Sequence, residues 1–385
     1  MSPYADFTYF GLFLYLLIPT VVLGLFGRAN ARWALFASAA ATLIHFSDEL
    51  PIRPGFHLRE WWIALAFFGY QTALAFALLR FKSRAFFYAA LPLAILPLAI
   101  AKFLPAFSPE SAFGFLGISY VSFRAIDVIF SIHDGVIKSL NPIQYAAYLF
   151  FFPTIAEGPI DRYRRFNQDW NRQRTRSEFL IDLDEAVQRI FRGFLYKFIL
   201  AALIKTYWVD LMIFGSNPLH SLGYMYSYSL YLFFDFAGYS AFAIGMSYLF
   251  GVRTPENFQL PFLAPNIRDF WNRWHITLSY WLRDHVYMRF LLAAAKGKWF
   301  KGKYTASYIG LFLTFGLMGL WHGSQLQYLI YGLYHATLLS GYDWFARWNK
   351  QHKLWGSGPA WRALNIVLTV HAVCFGFLIF SGHLK

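Results

Sequence analysis

The alternation of long apolar runs with short basic segments constrains this chain more than any other feature. Runs of about 17 to 29 mainly apolar residues recur along it, and a helix needs about 20 residues to cross a hydrocarbon core. Of the 385 residues, 58% are apolar and only 14% are charged, against roughly a quarter charged in ordinary globular domains. Disorder and a soluble fold are poor fits to that balance. The length accommodates roughly ten or eleven crossings with short connections. We expect an all-helical polytopic membrane protein, folded as one irregular domain over 1–385.

The expected spans are 6–26, 30–46, 60–79, 84–103, 188–208, 222–250, 305–321, 325–343 and 361–381, with 222–250 long enough to be tilted or broken. Segments 111–131 and 141–157 are also apolar, but Arg124, Asp127, Pro153 and Glu157 interrupt them. Such pieces belong against protein or a wet cavity, because lipid satisfies neither charge nor broken backbone. Asp182, Asp184 and Glu185 are expected to open the helix that leads into 188–208.

Basic residues set the expected orientation. Arg28 and Arg32 share a side with Arg80, Lys82 and Arg84, while the loop between, with Asp48, Glu49 and Arg53, lies opposite. The N-terminus is then outside and the basic loops inside, as are the stretches Arg162–Arg176 and Lys296–Lys303, and Lys385 falls inside if the crossings are odd in number. The opening Met1–Asp6 lacks a basic n-region, so the first run reads as a retained span rather than a signal peptide. The net charge of +14 is explained by membrane topology and anionic lipid, with no need for nucleic acid.

Chemistry has few places to sit. Cys374 is the only cysteine, so internal disulfides and thiolate-rich metal motifs are excluded. No HExxH spacing, GxSxG elbow, Walker loop or dinucleotide fingerprint is present, and no metal site is expected. His371 lies three residues from Cys374, but that pair reads better as core packing than as a dyad.

Three blocks concentrate polarity. In Asn266–Tyr287, residues Trp271, Trp274, Leu278, Trp281 and His285 recur at helical intervals. An interfacial helix with an aromatic belt would look like this, yet Arg268, Asp269, Arg273, His275, Arg283 and Asp284 also suit a cavity lining. In the second block His322 ends a strongly apolar run, flanked by Trp321 and by Gly319 and Gly323, with Tyr334 and His335 following. An imidazole so placed needs a polar partner or a channel, and a neutral one suits proton removal from an alcohol. The third block, PTIAEGPIDRYRRF, reads as a topology loop with ion pairs or, through Arg162, Arg164 and Arg165, as a phosphate-contacting docking surface. Asp235, within 222–250, suits a passage lining or a helix-to-helix contact.

In order along the chain, FTYFGLFLYLLIP, ISYVSFRAIDV, FFPTIAEGPIDRYRRF, DFAGYSAFAIG, FWNRWHITLSYWLRD and MGLWHGSQLQYLIYGLYH resemble the membrane-bound O-acyltransferase family, and within it the branch that modifies teichoic acids. The resemblance implies a ring of helices around a thin centre, with a tunnel meeting an outside-facing funnel. It places the family's catalytic histidine at His322 and its other signature polar position at His275, in a catalytic region spanning 266–322. Substrate or tunnel candidates are Asn266, Trp271, Arg273, Trp274, Arg283, Asp284, Trp321, Tyr334, His335 and Asp235. The implied donor is D-alanine on the phosphopantetheine arm of a small acidic carrier protein (DltC-like). The implied acceptor is lipoteichoic acid or another extracellular polyol, reached directly or through a DltD-like membrane partner. No intrinsically bound cofactor is implied. An extracellular polysaccharide O-acetyltransferase and a lipid or polyol transporter are the alternatives.

Overall fold

The computed structural model describes residues 4, 7–28, 31–45, 59–107, 113–213 and 217–384. Its regular elements there are helical. The chain is an all-helical, multi-pass membrane protein. The opening Met1–Asp6 apart from Tyr4, the acidic loop with Asp48, Glu49 and Arg53, and Lys385 lie outside the described residues.

Within the described residues, each expected span falls mainly on helix. The long ones are Phe7–Leu25, Ala31–His45, Arg59–Phe81, Arg84–Phe107, Pro218–Leu249, Thr305–His322, Leu326–His352 and Pro359–Ser381. Segment 188–208 begins in Arg176–Gly193 and continues through π-helical turns at Phe194–Ala201 and Lys205–Val209. Among the described residues, Glu60–Phe81, Arg84–Phe107, Pro218–Leu249 and Pro359–Ser381 are long and apolar enough to cross a membrane. Pro218–Leu249 is one unbroken helix of 32 residues, about 48 Å long and so able to span with tilt. Residues such as Trp62, Tyr88 and Val367 stand more than 60% exposed on these helices, where lipid would cover them.

The chain forms two compact units: residues 1–194 with 239–255, and residues 195–238 with 256–385. In the first, Arg59–Phe81 and Arg84–Phe107 pack on the buried helix Ile118–His133. Two of the interruptions read from the sequence, Arg124 and Asp127, are buried and satisfied internally, while Glu157 is exposed. The helix Pro142–Leu149 ends before a 3-10 turn at Phe152–Thr154, and the buried Arg124 guanidinium donates to the carbonyls of Tyr148 (3.0 Å), Leu149 (3.1 Å) and Thr154 (2.7 Å). One cation thus covers carbonyls that the broken helix leaves without partners. Asp127 pairs with Arg162 at 2.6 Å.

Several boundaries differ from expectation, as where 325–343 runs on to His352, and one difference is instructive. The helix expected to open at Asp182 begins at Arg176, where Thr175 and Glu178 form a reciprocal capping box. Those two satisfy backbone donors that Asp182 is placed too late to reach. Asp182 instead sits buried between Arg174 (3.3 Å) and Arg253 (2.9 Å).

In the second unit, Thr305–His322 and Leu326–His352 form a tight antiparallel pair. A Cβ at Gly319 would meet the Tyr328 carbonyl oxygen at 2.3 Å, and one at Gly332 the Phe315 oxygen at 2.1 Å. Any larger residue would force the two backbones apart. Pro359–Ser381 packs on Leu326–His352.

Candidate active site

The site is built within the second unit from three local events. The first is the end of helix Thr305–His322, which leaves His322 half-buried as its last residue. Its imidazole is enclosed by rings, with Trp321 at 4.6 Å, Phe380 at 4.9 Å edge-on, Tyr328 at 6.1 Å and Tyr331 at 6.2 Å between centroids. The Gly319 contact fixes this helix end against the start of the next helix, so the position of His322 follows from backbone packing.

The second event is a break where periodicity suggested one continuous helix. The block divides into Ile267–Arg273 and Ile276–Leu282, with a π-helical turn at Arg283–Tyr287. His275 stands at the break with φ 43°, in the left-handed region that disfavours a side-chain-bearing residue. The loop Asn257–Gln259 holds it open: Ile276 N donates to Asn257 O at 2.9 Å, and Gln259 N donates to Arg273 O at 2.9 Å.

Asn257 also sets the tautomer of His275. The Thr277 backbone N–H (3.4 Å) and hydroxyl (2.9 Å) donate to Asn257 Oδ1, and since a backbone N–H only donates, that atom is the amide oxygen. His275 Nδ1, 3.1 Å from the same oxygen, must then carry its proton. In the neutral ring the lone pair is left on Nε2. His275 is buried, edge-on to Phe236 at 4.9 Å, with the Trp321 ring 6.5 Å away. Trp321 therefore neighbours both imidazoles.

The third event is a cavity of about 400 Å³ walled by Trp271, Asn272, Arg283, Ser307, Thr314 and Asp343, among others. Met318, one helical turn before His322, is also on its wall. Arg268 lines it while paired to Asp343 at 2.7 Å, and Tyr287 shares a 2.7 Å hydrogen bond with Ser307 across it. Among the described residues no three His, Cys, Asp or Glu side chains gather in a metal-sized group.

The remaining sequence candidates separate by what they touch. Asn266 caps Ile267–Arg273 by accepting from Asp269 N at 2.8 Å, and Arg273 pairs with Asp269 at 2.8 Å. Trp274 packs among Phe258, Phe270 and Phe377. Arg283 pairs with the neighbouring Asp284 at 2.9 Å and covers the Tyr280 ring. Tyr334 donates to Ala372 O at 2.9 Å. Fully buried His335 accepts a long, 3.4 Å hydrogen bond from the Trp271 indole at Nδ1, so it supports the cavity wall from behind. Asp235 pairs with Lys197 at 2.5 Å, the helix-to-helix contact.

In the first unit Arg162 is held by Asp127, and Arg165 by Asp161 and Asp169, which leaves Arg164 as the outward member of that trio. Cys374 is buried with Tyr224 and Met225, while His371 Nδ1 lies 2.6 Å from the Tyr226 hydroxyl. Asn257, Ser307 and Asp343 were missed from sequence. Nothing local marks them, since each meets its partner only through the fold.

A histidine at a half-buried helix end, a second imidazole of defined tautomer and an adjacent cavity inside a multi-pass helical protein describe a membrane-embedded group-transfer enzyme. The model of the membrane-bound O-acyltransferase family matches residues 116–381, and the chain belongs to that family. It is 44% identical to a teichoic acid D-alanyltransferase of Bacillus subtilis (strain 168), over 99% of this chain and 98% of that protein. It is 39% identical to one from Lacticaseibacillus rhamnosus, over 100% and 98%. A probable alginate O-acetylase, AlgI, of Pseudomonas syringae pv. tomato is 36% identical over 58% of this chain and 42% of its own length.

Proposed function

We propose that this protein transfers D-alanyl groups from the phosphopantetheine thioester of a DltC-like carrier protein toward hydroxyls of lipoteichoic acid or a related polyol. The transfer is direct or passes through a DltD-like membrane partner. The observation that carries this reading is that the similarity to D-alanyltransferases extends over essentially the whole chain, whereas that to the alginate O-acetylase covers little more than half. The chain works as a single acyltransferase domain of about eleven crossings in the bacterial cytoplasmic membrane, N-terminus outside and C-terminus inside.

His322 acts as base in this scheme. Its imidazole takes the proton of the acceptor hydroxyl, the oxygen attacks the thioester carbonyl, the C–S bond breaks, and the imidazolium returns the proton to the departing thiolate. His275 orients substrate through Nε2. The cavity beside Met318 admits the pantetheine arm, with Arg268 and Arg283 suited to its phosphate. Its volume of about 400 Å³ is within the range of small-ligand sites. Arg164 is the free-standing member of the arginine trio for docking an acidic carrier.

The test is an in-membrane assay with radiolabelled D-alanine on its carrier, matched acetyl-CoA controls, the polyol acceptor and the partner protein. Alanine ester formation lost in His322→Ala, with insertion verified, supports the assignment. Acetyl-only transfer would move the function to polysaccharide O-acetylation, and movement of acceptor without ester formation would make it a transporter.

A further inference from the structure

We propose that the first unit carries a binding site for the phosphate headgroup of an anionic phospholipid, at the turn between helices Arg59–Phe81 and Arg84–Phe107. A cavity of about 340 Å³ opens there. Lys82, Ser83, His133 and Lys138 form its polar wall, and Leu78 and Ile132 are part of its apolar wall.

Local structure gathers these groups from two places in the chain. Lys82 ends its helix by donating from N to Leu78 O at 3.0 Å, with φ 49°. Glycine or asparagine takes that left-handed conformation at less cost, yet a lysine occupies it and lines the cavity. On the other wall, Ile137 N folds back to Ser131 O at 3.1 Å, which returns the chain after helix Ile118–His133 and brings Lys138 to the same cavity. The His133 imidazole lies flat on the Phe87 ring at 3.8 Å and 12°, which fixes its orientation.

Two lysines and a serine among the residues lining one concavity suit a phosphate oxygen cluster, and exposed Arg80 and Arg84 add to the positive field. Asp134, the acid beside His133, is exposed and is not among the lining residues. The apolar wall selects between sources of phosphate. A lipid can lay its ester and first methylenes against Leu78 and Ile132, whereas a soluble phosphate gains nothing from them. Phe81 and Tyr88, 64% and 69% exposed on either side of the turn, are aromatic residues of the kind that sit at the headgroup level. Basic pockets between helix ends are the expected form of anionic-lipid sites. The site lies in the unit without His322, so it stands independently of the acyl-transfer reading.

The experiment uses the full chain purified into nanodiscs of mixed phosphatidylglycerol and phosphatidylcholine, with retained lipid identified by native mass spectrometry. The K82G/K138A variant is the comparison, and K82G removes a charge while supplying a residue at ease with φ 49°. The expected result is about thirty-fold weaker retention of phosphatidylglycerol, roughly five-fold per lysine, with thermal unfolding in pure phosphatidylcholine no lower than for the unaltered chain. Equal retention by the variant would overturn the site. Inorganic phosphate producing the same stabilisation in phosphatidylcholine as phosphatidylglycerol does would overturn the lipid assignment in favour of a soluble anion.

Discussion

The two units handle buried polarity in opposite ways. In the first, buried charges are closed off by matched partners: Arg124 by three carbonyls, Asp127 by Arg162, and Asp182 by Arg174 and Arg253. In the second, the groups singled out at the candidate site are imidazoles set among aromatic rings, as at His322, His275 and His335. A matched ion pair or capped carbonyl loses by changing state, so it locks a shape. A neutral imidazole carries both a donor and an acceptor nitrogen, so it is a group suited to moving a proton. In the first unit the named charges hold the architecture; in the second, beside structural ion pairs such as Arg268–Asp343 and Arg273–Asp269, imidazoles sit where the proposed chemistry would run.

Removing one member from each unit should separate these roles. The largest effect is expected at His322→Ala, where loss of the proposed general base lowers transfer by about 10² to 10⁴-fold. Its melting temperature in detergent should stay close to that of the unaltered chain, and equal losses of stability and activity would make His322 a structural residue. Arg124→Leu should do the reverse. Leaving several buried carbonyls without donors costs about 3 kcal/mol, visible in thermal denaturation, while any properly folded fraction retains its turnover per molecule.

Asn257→Ala sharpens the comparison from within the second unit. It removes the acceptor for Thr277 and for His275 Nδ1, for about 2 kcal/mol of stability. Because it also frees the His275 tautomer, kcat should fall more than KM rises. Nuclear magnetic resonance of labelled histidine should then show a mixed tautomer population in place of a single Nδ1–H form. The smallest effect is expected at Thr175→Ala, since loss of a helix N-cap typically costs about 1 kcal/mol. Hydrogen exchange should rise at the start of Arg176–Gly193, with transfer unchanged.

Periodicity located helical segments well because a lipid-facing helix must satisfy its backbone internally and show apolar side chains, and both demands are local. The same rule misread Asn266–Tyr287 as one continuous helix. Trp271, Trp274, Leu278 and Trp281 keep the spacing of a helix face, but the break at His275 is imposed by Asn257, 18 residues away, which takes the hydrogen bonds a continuous helix would have made for itself. The capping box at Thr175 and Glu178 was legible in the sequence, and the run of acids at Asp182 to Glu185 drew the boundary past it. Arg162 and Arg165 could be read either as ion-paired loop charges or as a docking surface because their partners are set by folding, which makes them ion-paired: Asp127 lies 35 residues upstream of Arg162, and Arg165 rests on Asp161 and Asp169 one turn to either side.

By itself, then, the sequence determined what short-range physics determines: apolar helices long enough for a membrane, basic segments between them, and His322 at the end of one such run. The tertiary structure alone decided which polar groups meet. That includes the His275 tautomer, the cavity wall shared by Trp271, Ser307 and Asp343, and the cavity lined by both Lys82 and Lys138. Hydropathy is a property of each residue and its neighbours, whereas a hydrogen bond or an ion pair needs two groups within about 3 Å, and distance along the chain says nothing about that.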